Sequence, residues 1–146
     1  TPAPGIARLL TGTQPVLAMA ASAAGIALAA RAGAAAHAKA RALSELFAAL
    51  VAARLPAAGL RLISPADPAQ RGAHLAYDHD AGRPLMQALI AAGVIGDFRA
   101  PATLRFGFSP LYLRYVDVWD AVDRLATILK TETWRDPRFA TGGAVT

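Results

Sequence analysis

The sequence predicts one α+β domain over residues 1–146, in which helices cover a small, mostly antiparallel sheet that a long helix precedes. Three observations predict this class. A hydrophobic fraction of 55% is enough for a core in a chain of 146 residues. Segments with apolar residues at helical spacing occur beside short segments of strand-forming residues. Proline and glycine separate these segments, as is typical of helix and strand ends.

A long alanine-rich helix is predicted first, over residues 15–32, because alanine favours helix and Pro15 suits a first turn. Thr13 is expected to cap it. Gly33 interrupts the pattern, and a second helix is predicted over residues 36–55. One face of the second helix is expected to be buried, since apolar residues recur there at helical spacing: Leu43, Leu46, Phe47, Leu50 and Val51.

Four short strands are predicted in the remainder of the chain, at residues 60–63, 73–77, 94–98 and 103–108. The first two are expected to pair antiparallel, since a loop containing Pro65 and Pro68 separates them. A short helix over residues 83–92 is predicted between the second and third strands, and Gly93 is expected to end it as a helix C-cap.

The last helix is predicted over residues 115–130. Asp117 and Asp120 lie near its positive end and Lys130 near its negative end, and these charges stabilise the helix by opposing its dipole. Its buried face is expected to carry the apolar residues that share one side: Tyr115, Val118, Trp119, Val122, Leu125, Ala126 and Leu129.

The net charge of +5 does not favour a nucleic-acid partner. Residues 1–63 carry six basic residues and the single acid Glu45, whereas residues 64–146 carry nine of each sign, without a basic run. Phosphate binding requires clustered Lys and Arg. No nucleic-acid partner is expected.

The chain has no cysteine, which excludes disulfides and thiolate chemistry and suits a cytoplasmic location. The uncharged segment 14–30 is expected to be a buried helix rather than a membrane span, because a span needs about 20 strongly apolar residues and this segment is mostly alanine and glycine. No secretion signal is expected in the proline-rich start.

Short motifs in the chain favour no chemistry of their own. The triplet Asp78-His79-Asp80 is interpreted as an exposed turn rather than a metal site. Ser109 lacks the glycine that a nucleophile elbow needs two positions later, where Leu111 stands. The glycines at positions 12, 93 and 96 do not complete a phosphate loop.

Four segments resemble the C-terminal part of bacterial kynureninases, in the same order along the chain: LLTGTQPVLAMAA (9–21), GVIGDFRAP (93–101), LRFGFSPLY (104–112) and TETWRDPRF (131–139). The resemblance implies the C-terminal small domain of the aminotransferase-like fold, with the large cofactor-binding domain outside this chain. It also implies a homodimeric hydrolase that depends on pyridoxal 5'-phosphate and cleaves L-kynurenine to anthranilate and L-alanine in tryptophan breakdown.

The resemblance assigns roles to three residues. Arg105 matches the arginine that binds the substrate's α-carboxylate. Gly12 and Thr13 match the turn that reaches the cofactor phosphate and the substrate in the neighbouring subunit's site. Asp97 and Arg99 are interpreted as a structural ion pair near Arg105.

Two departures from the family pattern are relevant. Leu113 replaces the usual asparagine, which puts the capping of the last helix in doubt. The cofactor lysine has no counterpart among the lysines present. Lys39 and Lys130 both lie on predicted helices, where their side chains are expected to be solvated. No catalysis is therefore expected from these 146 residues alone. Two alternatives stay open: a non-catalytic dimerisation or binding module, and another aminotransferase-fold enzyme of the desulfurase type.

Overall fold

The computed structural model describes residues 1–10 and 12–140. By its internal contacts the chain divides into two compact units, residues 1–34 and the remainder from residue 35. The expectation of a single domain over the whole chain stays a prediction. The α+β class is confirmed by the order of the elements: α1 (Val16–Arg54), β1 (Arg61–Leu62), β2 (His74–Asp78), α2 (Gly82–Ala91), β3 (Asp97–Arg99), β4 (Thr103–Gly107) and α3 (Tyr115–Lys130).

The first unit contains a short 3-10 helix, Gly5–Leu9, and the first part of α1. The predicted interruption is confirmed, because Gly33 has φ 54° and ψ −150°, values that do not belong to a helix. The prediction that Thr13 caps α1 is wrong. The helix begins at Val16, which places Pro15 at the capping position, and the Pro15 carbonyl accepts the N–H of Met19.

The first part of α1 is exposed, so the expectation of a buried helix over residues 14–30 is wrong. Burial of an alanine-rich helix requires a partner surface, and the first unit supplies none of its own. Among residues 1–10 and 12–140, α1 is the one helix long and apolar enough to cross a membrane by length and composition. Its most apolar stretch has a mean hydropathy of 1.6, and none of that stretch is buried.

The second unit is built on a four-stranded sheet of order β1-β2-β4-β3 in which every neighbouring pair is antiparallel. The predicted antiparallel pairing of the first two strands is confirmed. The third strand starts at Asp97, later than predicted, because Gly93 and Val94 form the turn that caps the C-terminal end of α2. Gly93 has φ 82°, and the Val94 N–H donates to the Leu89 carbonyl at 2.8 Å.

One face of the sheet packs against helices and forms the core. Leu75, Tyr77, Leu104 and Phe106 are buried there. Phe47, from the second part of α1, lies against three aromatic rings, with centroid distances of 4.8 Å to Phe106, 5.4 Å to Phe108 and 6.1 Å to Tyr77.

The buried face of α3 differs from the predicted one. Its buried residues are Val118, Val122, Leu125 and Ile128, whereas Tyr115 and Trp119 are half-exposed. The Trp119 ring is covered by the Arg54 guanidinium, whose carbon lies 5.0 Å from the ring centroid. The Trp119 ring can therefore lie at the edge of the core, because the Arg54 cation covers one of its faces.

Gly82 lies at the start of α2 in close contact with the β3–β4 loop. A Cβ at this position would stand 2.5 Å from the Ala102 carbonyl oxygen and 3.0 Å from the Phe98 ring. We therefore expect Gly82→Ala to lower the free energy of unfolding by about 1–3 kcal/mol, because the backbone of the loop must move. Gly107→Ala is the matched control, since a Cβ there meets no atom within 4 Å. Chemical denaturation of the two variants measures the difference in stability. Equal denaturation midpoints for Gly82→Ala and Gly107→Ala would contradict the expected steric clash at Gly82.

Candidate functional site

The face of the sheet opposite the core carries polar and charged side chains. Cross-strand register places Asp97 opposite Arg105 and Arg99 opposite Thr103, and Asp78 also pairs with Thr103. Directly paired residues share a face, and successive side chains alternate between faces. We call this set the polar sheet face; it comprises Asp78, Asp97, Arg99, Thr103 and Arg105.

Arg105 is bound to Asp97 through one edge of its guanidinium. Its Nε donates to Asp97 Oδ2 at 3.0 Å, and its Nη2 donates to the same oxygen. Its Nη1 makes no hydrogen bond to any residue that the structure describes, and 39% of the side chain is exposed. Arg105 therefore retains a free edge that is open to a ligand.

Asp97 is the centre of a three-residue charge cluster. The expected proximity of Asp97 and Arg99 is present, with Arg99 Nη2 at 3.1 Å from Oδ2. The pairing of Asp97 with Arg105 was not part of that expectation. Two guanidinium groups share one carboxylate, so the cluster keeps a net positive charge. That charge suits an anionic ligand, and a guanidinium edge matches a carboxylate in particular.

A second ion pair stands beside this cluster on the same face. Thr103 Oγ1 donates to Asp78 Oδ1 at 2.7 Å, and Arg61 Nη2 donates to Asp78 Oδ2 at 2.8 Å. These two bonds, first from Thr103 and then from Arg61, hold the pKa of the Asp78 carboxyl below its ordinary value. The sequence contains no signal for this arrangement, because it depends on which strands become neighbours.

Gly12 and Thr13 belong to the first unit, whereas Arg105 belongs to the second. Gly12 and Thr13 are exposed and precede α1. A Cβ added at Gly12 would meet no atom within 4 Å. Their assignment to a cofactor and substrate site stays a prediction.

The two lysines do not form a site for pyridoxal phosphate. The expectation that both are solvated is wrong for Lys39, whose Nζ donates to the Pro110 carbonyl at 2.9 Å in a partly buried position. The reason is tertiary, because the loop after β4 lies beside the second part of α1. Lys130 is exposed at the end of α3. A Schiff-base lysine requires a desolvated amine free to react, and neither residue fits this role.

The N-terminal end of α3 is capped despite the departure at position 113. The backbone N–H of Arg114 donates to Asp117 Oδ2 at 2.7 Å, and Leu113 packs against the core. Hydrogen bonds from Arg114 lower the pKa of the Asp117 carboxyl. The doubt about this cap is answered by Asp117, whose carboxylate at the third helical position accepts the N–H of the capping residue Arg114, as in a capping box.

A cavity of about 320 Å³ lies beside this cap. It is bounded by the turn after α2, the end of β4 and the first turns of α3, with Asp117, Asp120 and Arg124 as its charged lining. Arg124 donates to the Ala92 carbonyl at 2.9 Å, so its charge is directed at the turn. The cavity contains no residue of the polar sheet face.

The Asp78-His79-Asp80 turn is held by local hydrogen bonds. His79 Nδ1 accepts the N–H of Ala81 at 3.0 Å, and Asp78 is occupied by Arg61 and Thr103. Across residues 1–10 and 12–140, no three His, Asp or Glu side chains gather where they could hold a metal ion.

Comparison with known proteins identifies the family. Residues 36–125 match the model of the kynureninase C-terminal domain. The chain is 51% identical to kynureninases of Burkholderia mallei (strain SAVP1) and Burkholderia pseudomallei (strain K96243), and 43% identical to one of Pseudomonas fluorescens. Each comparison covers 99% of this chain and 35% of the relative's length. The chain belongs to the kynureninase family, through its C-terminal domain.

Proposed function

We propose that this chain is the C-terminal part of a pyridoxal-phosphate-dependent hydrolase that cleaves L-kynurenine to anthranilate and L-alanine. The family match and the kynureninase relatives support this activity. The observation that carries it within the chain is Arg105. It stands on the polar sheet face with the Nε and Nη2 edge of its guanidinium bound to Asp97, and Nη1 makes no hydrogen bond to a described residue.

In this proposal Arg105 binds the α-carboxylate of the substrate. A planar guanidinium can donate two parallel hydrogen bonds to a carboxylate, which fixes the orientation of the amino acid as well as its charge. Orientation is useful because bond cleavage requires the reacting bond to lie in a defined direction relative to the rest of the site. The net positive charge of the Asp97, Arg99 and Arg105 cluster favours the same ligand.

The cofactor is held, in this proposal, by the part of the complete enzyme outside this chain. When bound, it supplies an electron sink for the cleavage. The described residues contribute substrate binding, and no step of the reaction is assigned to Lys39 or Lys130.

We further propose that the complete enzyme is a cytoplasmic homodimer, with neither nucleic acid nor a membrane as partner. The exposed apolar side chains of the first unit support an interface with a second subunit, because isolated proteins rarely leave such surface uncovered. They include Ile6, Leu9, Val16, Leu17 and Ile26. Gly12 and Thr13 lie between these residues and would reach the neighbouring site.

The test is an assay of the complete enzyme with pyridoxal phosphate and either L-kynurenine or L-cysteine. We expect anthranilate from L-kynurenine and no sulfur release from cysteine. The same assay on the 146 residues alone should show no turnover, since neither lysine suits the cofactor. Saturable formation of anthranilate by the isolated chain would contradict this, and cysteine turnover by the complete enzyme would favour a desulfurase.

Thr13 is predicted to act on the partner subunit's site. The test is a mixed dimer of one subunit that lacks the cofactor lysine and one that carries Thr13→Ala. The surviving site then receives an intact Thr13 from the subunit without the lysine, so its activity should be normal.

The Thr13→Ala homodimer is the control, since both of its sites lack the hydroxyl and both should be impaired. Mixed-dimer activity per surviving site that falls to the level of this homodimer would place Thr13 in its own subunit's site.

A further inference from the structure

We propose that Asp97 is a positioning residue, which holds one edge of the Arg105 guanidinium so that the other edge faces the substrate carboxylate. This inference rests on the proposed function of Arg105. It assigns to Asp97 a role beyond the structural ion pair that the sequence predicts.

The geometry of the hydrogen bonds supports this role. A guanidinium has two edges that can each donate two parallel hydrogen bonds, one formed by Nε and Nη2 and the other by Nη1 and Nη2. Asp97 Oδ2 accepts from both nitrogens of the first edge. The second edge has no partner at Nη1 among the residues that the structure describes. Asp97 therefore fixes the plane of the guanidinium without blocking the edge that a carboxylate would use.

The backbone register makes this contact direct. Asp97 and Arg105 are paired residues of β3 and β4, so their side chains leave the same face at neighbouring positions. Both are attached to strands rather than to loops, which limits the movement of the pair. A long arginine side chain on a strand would otherwise have many rotamers, and binding would have to order them.

The net positive charge of the cluster favours binding of a further anion. Arg99 Nη2 forms an ion pair with the same Asp97 oxygen that binds Arg105, at 3.1 Å, so one carboxylate faces two cations and cannot neutralise both. The second oxygen, Asp97 Oδ1, is buried and has no hydrogen-bond partner within residues 1–10 and 12–140. A buried acceptor without a partner is costly, and a role in a functional site is one of the explanations for such a group.

Asp78 offers a matched control on the same polar sheet face. It also binds an arginine and a neighbouring side chain, through Arg61 and Thr103, and it is similarly exposed, with 22% against 20% for Asp97. It makes no hydrogen bond to Arg105. A loss of charge on this face in general would affect both aspartates, whereas positioning of Arg105 would depend on Asp97 alone.

The experiment compares Asp97→Asn, Asp97→Glu and Asp78→Asn in the complete enzyme. For each variant we would measure kcat and KM for L-kynurenine, and the inhibition constant of kynuramine, which lacks the α-carboxylate. Asp97→Asn should raise KM for L-kynurenine about 10-fold or more, with a smaller change in kcat, because a less well placed Arg105 binds the carboxylate more weakly in the ground state and transition state alike. Kynuramine inhibition should stay near the parental value.

Asp97→Glu should lie between the parent and Asp97→Asn, since it retains the charge but displaces the guanidinium, and Asp78→Asn should match the parent. A parental KM in Asp97→Asn would overturn the proposal, as would an equal loss of kynuramine binding. If Asp97→Asn does not fold, the double variant Asp97→Glu with Arg105→Lys tests the proposal instead. Additive effects of the two substitutions on KM would show that the residues act independently and would overturn it.

Arg105→Lys separates this inference from the proposed function on which it rests. An unchanged KM and kcat in Arg105→Lys would contradict the proposed role of Arg105. An impaired Arg105→Lys beside a parental Asp97→Asn would overturn the positioning role alone.

Discussion

Replacement of Arg105 by lysine is expected to lower kcat/KM for L-kynurenine in the complete enzyme by about 10- to 150-fold, which corresponds to about 1.5–3 kcal/mol for a hydrogen bond to a charged group. Lysine retains the positive charge but loses the planar fork that can bind Asp97 with one edge and a carboxylate with the other. Steady-state kinetics with L-kynurenine is the measurement.

Arg61→Lys is the control for this experiment. Arg61 is also a strand arginine bound to an aspartate, Asp78, but it lies on β1 and makes no hydrogen bond to Asp97. The Arg61 variant should keep parental kinetics. A kcat/KM near the parental value in Arg105→Lys would contradict the assignment of the substrate carboxylate to Arg105.

Phe47→Ala is expected to cause the largest loss of stability, about 3–5 kcal/mol in the free energy of unfolding. The ring is buried and contacts three other aromatic rings, so its removal loses apolar burial and leaves a cavity that rigid neighbours cannot fill. Chemical denaturation followed by circular dichroism measures the change.

Glu45→Ala tests whether the effect comes from burial rather than from alteration of α1. Glu45 lies on the same helix but is exposed. Its replacement should change stability by no more than about 0.5 kcal/mol, as is usual for surface positions. A loss below about 1 kcal/mol in Phe47→Ala would show that this cluster is not the centre of the core.

Local signals in the sequence predicted the helices well. The helix at the end of the second unit has the predicted bounds, Tyr115–Lys130, and the long first helix is interrupted at Gly33 as expected. Gly93 ends α2 as predicted. These features depend on propensity, apolar spacing and glycine conformation, which neighbouring residues determine.

The buried faces were less predictable. The spacing in α3 indicates an apolar stripe that includes Trp119, but the packing direction decides which side of the stripe is covered. The same is true of the first part of α1, whose apolar residues are exposed. Apolar composition predicts that a residue can be buried, whereas burial itself requires a surface supplied by another part of a protein.

The candidate site was also only partly predictable from the sequence. The resemblance of the motif around Arg105 to the kynureninase pattern predicted that this residue binds a carboxylate, and the positions of Lys39 and Lys130 on helices predicted that neither holds the cofactor. Both assignments stay predictions. The contact of Asp97 with one edge of Arg105, and those of Thr103 and Arg61 with Asp78, follow from tertiary packing alone. These partners meet because β2, β3 and β4 become neighbours in one sheet, and such pairings depend on contacts between distant segments that no local pattern specifies.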